Sequence, residues 1–157
     1  MTQRHTIKNY SPRFSRQGGP TIQFEFSLRS EVGDISPFVA TLLHLIRKCQ
    51  WVRGSEEDIE IALREALANA VIHGNRRDPT KTVYVGCRCG ADEVSIVIRD
   101  EGQGFDTRDV PDPTTPKNLP FNHGRGIYLM RVLMDEVRFE RGGTAVYMRK
   151  SSKKLLT

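Results

Sequence analysis

The seven residues from Asp100 to Asp106 combine a carboxylate, two spaced glycines and the aromatic side chain of Phe105. A carboxylate oxygen accepts a hydrogen bond from an exocyclic amine, while the bare backbone of Gly102 and Gly104 allows a flat ring to approach closely. This combination indicates a purine pocket. The same pattern also describes a strand that ends in a tight turn, so its interpretation depends on the residues that accompany it.

Three polar residues, Glu65, Asn69 and His73, recur every four positions and therefore line one side of a helix. A carboxylate beside a carboxamide can act as a general base next to a ligand for Mg²⁺, which prefers oxygen atoms. The alternative is a solvated helix face. We favour the functional interpretation, because the surrounding alanines and leucines make this helix apolar nearly all round, and polar groups in a buried helix need partners.

A second glycine pair, Gly124 and Gly126, stands at the start of a predicted helix that continues with Ile127. Exposed amides and the helix dipole make such a position attractive to phosphate. A plain turn explains the same spacing equally well. The neighbouring His123 and Arg125 either contact phosphates or face water, and the sequence leaves both interpretations open.

Hydrophobic periodicity predicts the elements that position these residues. The predicted order is strand, helix, helix, strand, strand, helix, strand and strand. Ser36 and Ser55 are predicted to cap the first two helices, and the third begins near Gly124. The second helix extends to about His73 and stops at Gly74 and Asn75, which tolerate left-handed backbone. A hairpin joins the next two strands, and the second of these strands leads into Asp100. Thr144 opens the last strand. Residues 106–124 contain four prolines, and loops of this length are usually lids or binding loops.

Composition predicts a single compact domain in the cytoplasm. The chain has 157 residues, 38% of them hydrophobic, and it lacks both an apolar run of the roughly 18 residues that span a bilayer and a signal peptide. The three cysteines are an odd number, and Cys87 and Cys89 face the same side of a predicted strand. We interpret all three as reduced thiols rather than as a disulfide or a metal site.

The net charge of +5 is concentrated at the two ends of the chain. Residues 1–20 and 149–157 carry four basic residues each and no acid, so the region between them is net negative. A nucleic-acid groove would instead place positive charge on the folded body, and we predict no direct nucleic-acid contact. The expected organisation is a flexible basic arm over residues 1–19, a folded domain over 20–150 and a basic tail over 151–157.

The order of these motifs resembles the Bergerat ATP-binding fold of the GHKL superfamily over about residues 21–150. Within that superfamily, the segment from Glu65 to Asn75 resembles small bacterial anti-sigma-factor serine kinases of partner-switching pathways, as do the segments around Gly124 and Met134. The resemblance implies a two-layer α/β sandwich, with helices on one face of a mixed, mainly antiparallel sheet. It also implies ATP and Mg²⁺ as cofactors.

The resemblance further implies roles for individual residues. Glu65 would act as the base on an attacking hydroxyl, Asn69 would coordinate a Mg²⁺ that bridges the phosphates, and Asp100 would hold the adenine amine. The other residues expected to contact ATP are His73, Gly102, Gly104, Phe105, His123, Gly124, Arg125, Gly126, Ile127 and Thr144.

The leading hypothesis is a serine protein kinase that phosphorylates an antagonist protein and also captures a sigma factor. One departure from the resembled kinases bears on it: they carry Glu-Arg-Ser just before the second glycine pair, where this chain has Phe121, Asn122 and His123. The alternatives are a nucleotide-gated binding module without significant phosphate transfer, and a histidine-kinase-type ATPase domain acting in trans. Apolar residues on the first helix and strand serve either a homodimer or only the core.

Overall fold

The computed structural model describes residues 5–14, 20–49, 53–90, 92–106, 108 and 122–152. These residues form six strands, which are β1 (His5–Phe14), β2 (Pro20–Arg29), β3 (Thr82–Cys89), β4 (Glu93–Arg99), β5 (Glu136–Glu140) and β6 (Ala145–Ser151). They also form three α-helices, α1 (Ile35–Lys48), α2 (Glu56–Ala68) and α3 (Asn122–Leu133). No helix within the described residues is long and apolar enough to cross a membrane.

The six strands form one sheet in the order β1-β2-β3-β4-β6-β5. Every pairing among them is antiparallel, so the sheet expected to be mixed and mainly antiparallel is antiparallel throughout the described strands. The strand registers align the buried positions in rows, and one row runs through Phe24, Cys87, Ile96 and Met148.

The helices cover one face of this sheet. Buried side chains of α1 and α2, including Phe38, Leu42 and Leu63, share a single hydrophobic core with the buried rows of the sheet. The opposite face is more open, since Arg88 and Val97 are exposed there. Antiparallel sheets commonly pack one face and leave the other to solvent. The predicted two-layer α/β sandwich is confirmed.

The N-terminal arm differs from its prediction. Residues 1–19 were expected to form a flexible arm because they lack periodicity, but His5–Phe14 forms β1 and pairs with β2 along its length. Backbone hydrogen bonds make such a pairing and do not require alternating apolar side chains. At the other end, Ser151 closes β6 and the Ser152 amide donates to the Asp92 carbonyl at 2.8 Å. Residues 153–157 of the predicted tail lie outside the described residues, as does most of the proline-rich segment.

The second helix ends differently from a regular α-helix. After α2, residues Asn69–Gly74 form a π-helical turn, in which the Asn75 amide donates to the Ala70 carbonyl at 2.8 Å. Single π-helical turns are rare and occur frequently at functional sites. At its start, Ser55 makes no side-chain cap and instead donates its hydroxyl to the Ser151 carbonyl at 3.2 Å. The predicted cap thus fastens the helix to β6.

The three cysteines are buried and free of disulfide bonds. Cys87 and Cys89 both face the core, as predicted from their spacing. Burial raises the pKa of Cys49 to about 12, with the Cys89 thiol adding to the effect. A thiol in such surroundings forms little thiolate and is chemically inert.

Candidate functional site

A cavity of about 400 Å³ opens between the π-helical turn, the end of β4, the start of β6 and the middle of α3. Seven residues expected to contact ATP line it, namely Asn69, His73, Asp100, Gly104, Phe105, Ile127 and Thr144. Apolar side chains such as Ile98, Met130 and Val146 complete the walls. A mainly apolar cleft with few polar groups is typical of a small-molecule site.

The Asp100 carboxyl group lies against the π-helical turn. It sits so close to Gly74 that any side chain there would collide with it, and its Oδ1 accepts from the Gly102 amide at 2.8 Å. Burial raises the pKa of Asp100, while the Gly102 amide and Lys81 act in the opposite direction. An acid held this way offers an acceptor at the end of an apolar cleft, which suits an exocyclic amine.

The glycines near Asp100 are required by close backbone contacts. A Cβ on Gly102 would overlap the Gly74 carbonyl oxygen. Gly104 has a φ of +76°, and a Cβ there would overlap the Gly142 carbonyl oxygen. Two backbone hydrogen bonds of 2.9 Å fix the same region, from Asp100 to the Thr144 carbonyl and from Phe105 to the Gly142 carbonyl. The backbone around Asp100 is therefore held from two sides.

Aromatic and polar side chains surround the mouth of the cavity beside Asp100. The rings of Phe105 and Phe139 meet edge to face, with 5.5 Å between their centroids. The Thr144 hydroxyl donates to the Arg141 carbonyl at 2.9 Å, which orients it at the rim. Arg76 also lines the cavity and has a φ of +53°, unusual for a residue other than glycine. Sequence reasoning did not single out Arg76.

Asn75 holds the Asp100 end together, and sequence reasoning assigned it only to a helix stop. Its side chain is fully buried and donates to the Ser30 hydroxyl at 2.5 Å and to the Thr82 carbonyl at 3.1 Å. Its Oδ1 accepts from the Glu101 amide at 2.7 Å. One amide side chain thus joins the end of the π-helical turn to the ends of β2 and β4 and the start of β3.

The Glu65 end of the site is formed where α2 packs on α3. A Cβ placed on Gly126 would lie 2.6 Å from Glu65 Oε2 and 3.8 Å from Asn69 Oδ1, so both side chains point at this glycine. The predicted juxtaposition of Glu65 with Asn69 is therefore present. His73 lines the cavity and is exposed.

The residues around Gly124 that were expected to contact ATP lie in the first part of α3. Arg125 is exposed on α3 and is not among the residues that line the cavity. His123 and Gly124 belong to α3, but their surroundings lie outside what the structure describes, as does Phe121.

A lysine fastens the far ends of the two helices. Lys150 Nζ lies 3.0 Å from Asp58 Oδ2 and donates to the Leu133 carbonyl at 2.5 Å. Because Asp58 begins α2 and Leu133 ends α3, while Glu65 meets Gly126, the two helices run antiparallel.

Residues 28–150 match the family described as the histidine kinase-like ATPase domain, and the chain belongs to this family. It is similar to the serine-protein kinase RsbW of Bacillus licheniformis, with 35% identity over 117 residues that cover 70% of this chain and 73% of that protein. It is also similar to the anti-sigma F factor of Geobacillus thermodenitrificans, with 32% identity over 140 residues that cover 82% and 90% of the two proteins. The predicted resemblance is confirmed, and ATP use follows from membership of an ATPase-domain family.

Proposed function

We propose that the chain is an ATP-dependent protein serine kinase that phosphorylates an antagonist protein in a bacterial partner-switching pathway. The observation that carries the proposal is the meeting of Glu65 and Asn69 with Gly126, beside a cavity whose other end holds Asp100. Glu65 and Gly74 are nine positions apart along the helix, roughly 13 Å at 1.5 Å per residue. An adenine ring at Asp100 therefore leaves room for phosphates to extend toward Glu65. The printed names of the relatives, a serine-protein kinase and anti-sigma F factors, support the same conclusion.

In this proposal, the Asp100 end binds the base of ATP. Asp100 accepts the adenine amine, and Gly104, which lines the cavity, presents bare backbone to the ring. Gly102 does not line the cavity, and it packs against the Gly74 carbonyl beside Asp100. Phe105, Ile127 and the other cavity residues contribute apolar surface, with Thr144 at the rim. Burial of a mainly apolar ring supplies affinity, while the single acceptor supplies selectivity for an amine.

The Glu65 end is proposed to carry the chemistry. Glu65 takes the proton of the serine hydroxyl, the serine oxygen bonds to the terminal phosphorus, and the bond to the leaving ADP oxygen breaks. The free amides in the first turn of α3, including that of Gly124, would contact the phosphates, with Arg125 and His123 nearby. Gly126 lies beyond this first turn, where its amide bonds within the helix, and it leaves room for the Glu65 carboxylate beside α3. Phosphoryl transfer depends mainly on positioning and charge neutralisation, so these contacts account for most of the catalysis.

The residues present suit Mg²⁺ at this end. Asn69 Oδ1 faces the same glycine as a Glu65 carboxylate oxygen, and hard oxygen donors of this kind are the ligands that Mg²⁺ prefers. Mg²⁺ commonly takes one or two protein ligands and completes its shell with phosphate oxygens and water. Asn69 would hold it, and bound Mg²⁺ would neutralise phosphate charge.

A sigma factor is the further partner that the relatives' names support, since several are anti-sigma F factors. Partners of this class belong to the cytoplasm, where we place the chain.

The alternative is a nucleotide-gated binding module, which the names of the relatives do not favour. It is considered because Phe121, Asn122 and His123 stand where the resembled kinases carry an arginine. Such a module would retain ATP and transfer little or no phosphate, so the two proposals differ in their product.

The test is incubation of the purified chain with ATP labelled on its terminal phosphate and a panel of purified antagonist-type proteins. We expect an acid-stable phosphoserine on one antagonist, and Glu65→Gln should lower the transfer rate about 10²- to 10⁴-fold with ATP affinity retained. Glu57→Gln, on an exposed part of the same helix, is the matched control. Undiminished transfer by Glu65→Gln would falsify the assignment of the base. An acid-labile product would indicate a histidine kinase, and nucleotide retention without transfer would indicate the binding module.

A further inference from the structure

The helix α3 is apolar on two opposite faces, of which only one is buried. Ile127 and Met130 point into the core. Tyr128, Leu129 and Val132 are 43%, 36% and 60% exposed, and they form a continuous band at helical spacing that we call the outer stripe. A helix that is apolar all round is normally buried, whereas the outer stripe is left uncovered by the residues that the structure describes.

The outer stripe is continuous with the surface above Glu65. Leu129 follows Gly126 by one turn of α3, and Ile61 precedes Glu65 by one turn of α2. Because the two helices are antiparallel and Glu65 contacts Gly126, Ile61 and Leu129 lie on facing sides of the groove between the helices. Ile61 is also partly exposed. Four of the seven large hydrophobic side chains exposed among the described residues therefore lie on α2 and α3, and Ile61 and Leu129 flank the groove between these helices.

Positive charge accompanies this apolar surface. Arg125 and Arg131 are both exposed on α3, and the helix sequence Asn122–Leu133 contains no Asp or Glu. The Arg131 guanidinium lies 5.9 Å from the centroid of the Phe139 ring, at the edge of the stripe nearer β5. The charge complement of such a surface is an apolar patch with carboxylates at its rim.

We propose that the outer stripe, together with Ile61, is the surface on which the acceptor protein docks. The proposal rests on the proposed kinase function. The nucleotide occupies the cavity, so a protein that presents a serine to Glu65 must place its body on the adjoining surface of α2 and α3. The fitting occupant is an antagonist protein that carries an apolar patch, rimmed by Asp or Glu, beside its acceptor serine.

The test compares serine substitutions on the outer stripe with a serine substitution on the opposite face of the sheet, all in the full chain. Leu129→Ser combined with Val132→Ser removes the outer stripe, whereas Val97→Ser removes a similarly exposed side chain from the opposite face of the sheet. We expect the double variant to raise the KM for the antagonist at least about tenfold, with kcat and ATP affinity unchanged. Val97→Ser should match the wild type. Arg131→Glu should also raise this KM and Arg131→Lys should restore it, which keeps the proposal testable if the double variant unfolds.

The outcomes separate docking from catalysis. If the wild type transfers phosphate but the variants keep its KM for the antagonist, the docking surface is wrong and the kinase proposal stands. If the wild type transfers nothing, the kinase proposal fails, and docking is measured instead by the fluorescence anisotropy of labelled antagonist with a non-hydrolysable ATP analogue. Absence of wild-type binding, or equal binding by the variants, overturns the docking proposal.

Two other occupants of the stripe give distinct results. A change in ATP affinity in the double variant would mean that a segment of this chain covers the stripe. Loss of a dimer in sedimentation would mean that a second copy covers it. Either result contradicts docking of the acceptor protein.

Discussion

The two ends of the cavity are held by different kinds of contact. At the Asp100 end, backbone meets backbone, because the Gly74 carbonyl occupies the position of a Cβ on Gly102. At the other end, the side chains of Glu65 and Asn69 meet the backbone of α3 at Gly126. A side chain can yield by rotating about its own bonds, whereas two stretches of backbone can yield only by moving the elements that carry them.

In the proposed function, this difference makes the binding site of the base rigid, and we call this site the fixed seat. The groups proposed to react with the terminal phosphate have adjustable positions. The buried side-chain amide of Asn75 stabilises the fixed seat through three hydrogen bonds to three separate segments of the chain. Satisfied buried networks of this kind rigidify a site, and each broken member leaves an unpaired group. Changes at the Asp100 end should therefore act on ATP affinity, and changes at the Glu65 end on the rate of transfer.

The largest effect is expected from Gly102→Ala, because the new methyl group overlaps the Gly74 carbonyl oxygen. We expect ATP affinity to fall by about 100-fold or more, equivalent to about 2.7 kcal/mol. The free energy of unfolding should fall by about 1–3 kcal/mol, as for other overpacked sites. Titration with a fluorescent ATP analogue and denaturant unfolding measure the two quantities. Gly86→Ala, where the added Cβ meets nothing within 4 Å, is the control, and equal behaviour of the two variants would contradict the fixed seat.

Asp100→Asn tests the acceptor of the fixed seat without changing its size. Loss of a charge-assisted hydrogen bond costs about 1.5–3 kcal/mol, so ATP affinity should fall about 10- to 100-fold. The fold should remain intact, because burial already disfavours the charged form of this carboxyl group. Isothermal titration measures the affinity, with Asp92→Asn on the exposed β3–β4 turn as the control. Unaffected affinity in Asp100→Asn would remove the purine assignment.

The features of the two ends that could be predicted from the sequence are those that depend on residues close together in the chain. The spacing of Asp100, Gly102 and Gly104 reports a local turn, and the residues Glu65 and Asn69 share a helix face by helical periodicity. Both patterns can be recognised without knowledge of the tertiary structure. The same periodicity predicted the order of the strands and helices, whereas the two-layer sandwich was implied by the resemblance to the Bergerat fold.

The parts that the sequence did not predict depend on contacts between distant segments. Asn75 was assigned only to a helix stop because its partners, Ser30, Thr82 and Glu101, come from three other places in the chain. The strand β1 was missed for a related reason, since its pairing with β2 is made by backbone groups that carry no sequence signature. The signal that the sequence offers for Asn75 is an asparagine just beyond a helix end, and this signal also fits an ordinary turn.

Gly126→Ala tests the adjustable end with a smaller expected effect. The new methyl group would lie 2.6 Å from Glu65 Oε2, so the carboxylate must rotate away from its present position. We expect the transfer rate to fall about tenfold while ATP affinity changes little, because misplacement of a reacting group by about 1 Å costs up to about 100-fold. Single-turnover transfer at saturating ATP measures the rate, and Gly86→Ala again serves as the control. A loss of ATP affinity as large as that of Gly102→Ala would abolish the distinction between the two ends.

The smallest effect concerns pH and separates affinity from stability at the Asp100 end. Burial raises the pKa of Asp100, so the pKa of this carboxyl group is higher in the folded than in the unfolded state. Below the unfolded pKa, the group therefore stabilises the folded state. This contribution is lost as the pH rises through the folded pKa. ATP binding has the opposite sign, because the ionised form is the stronger acceptor for the adenine amine. As pH falls from neutral through the raised pKa, wild-type ATP affinity should drop a few-fold more than that of Asp100→Asn. The ratio of the two affinities cancels protonation of ATP itself, which affects both proteins equally. Parallel pH curves would mean that the charge of Asp100 does not contact the base, even if its removal weakens binding.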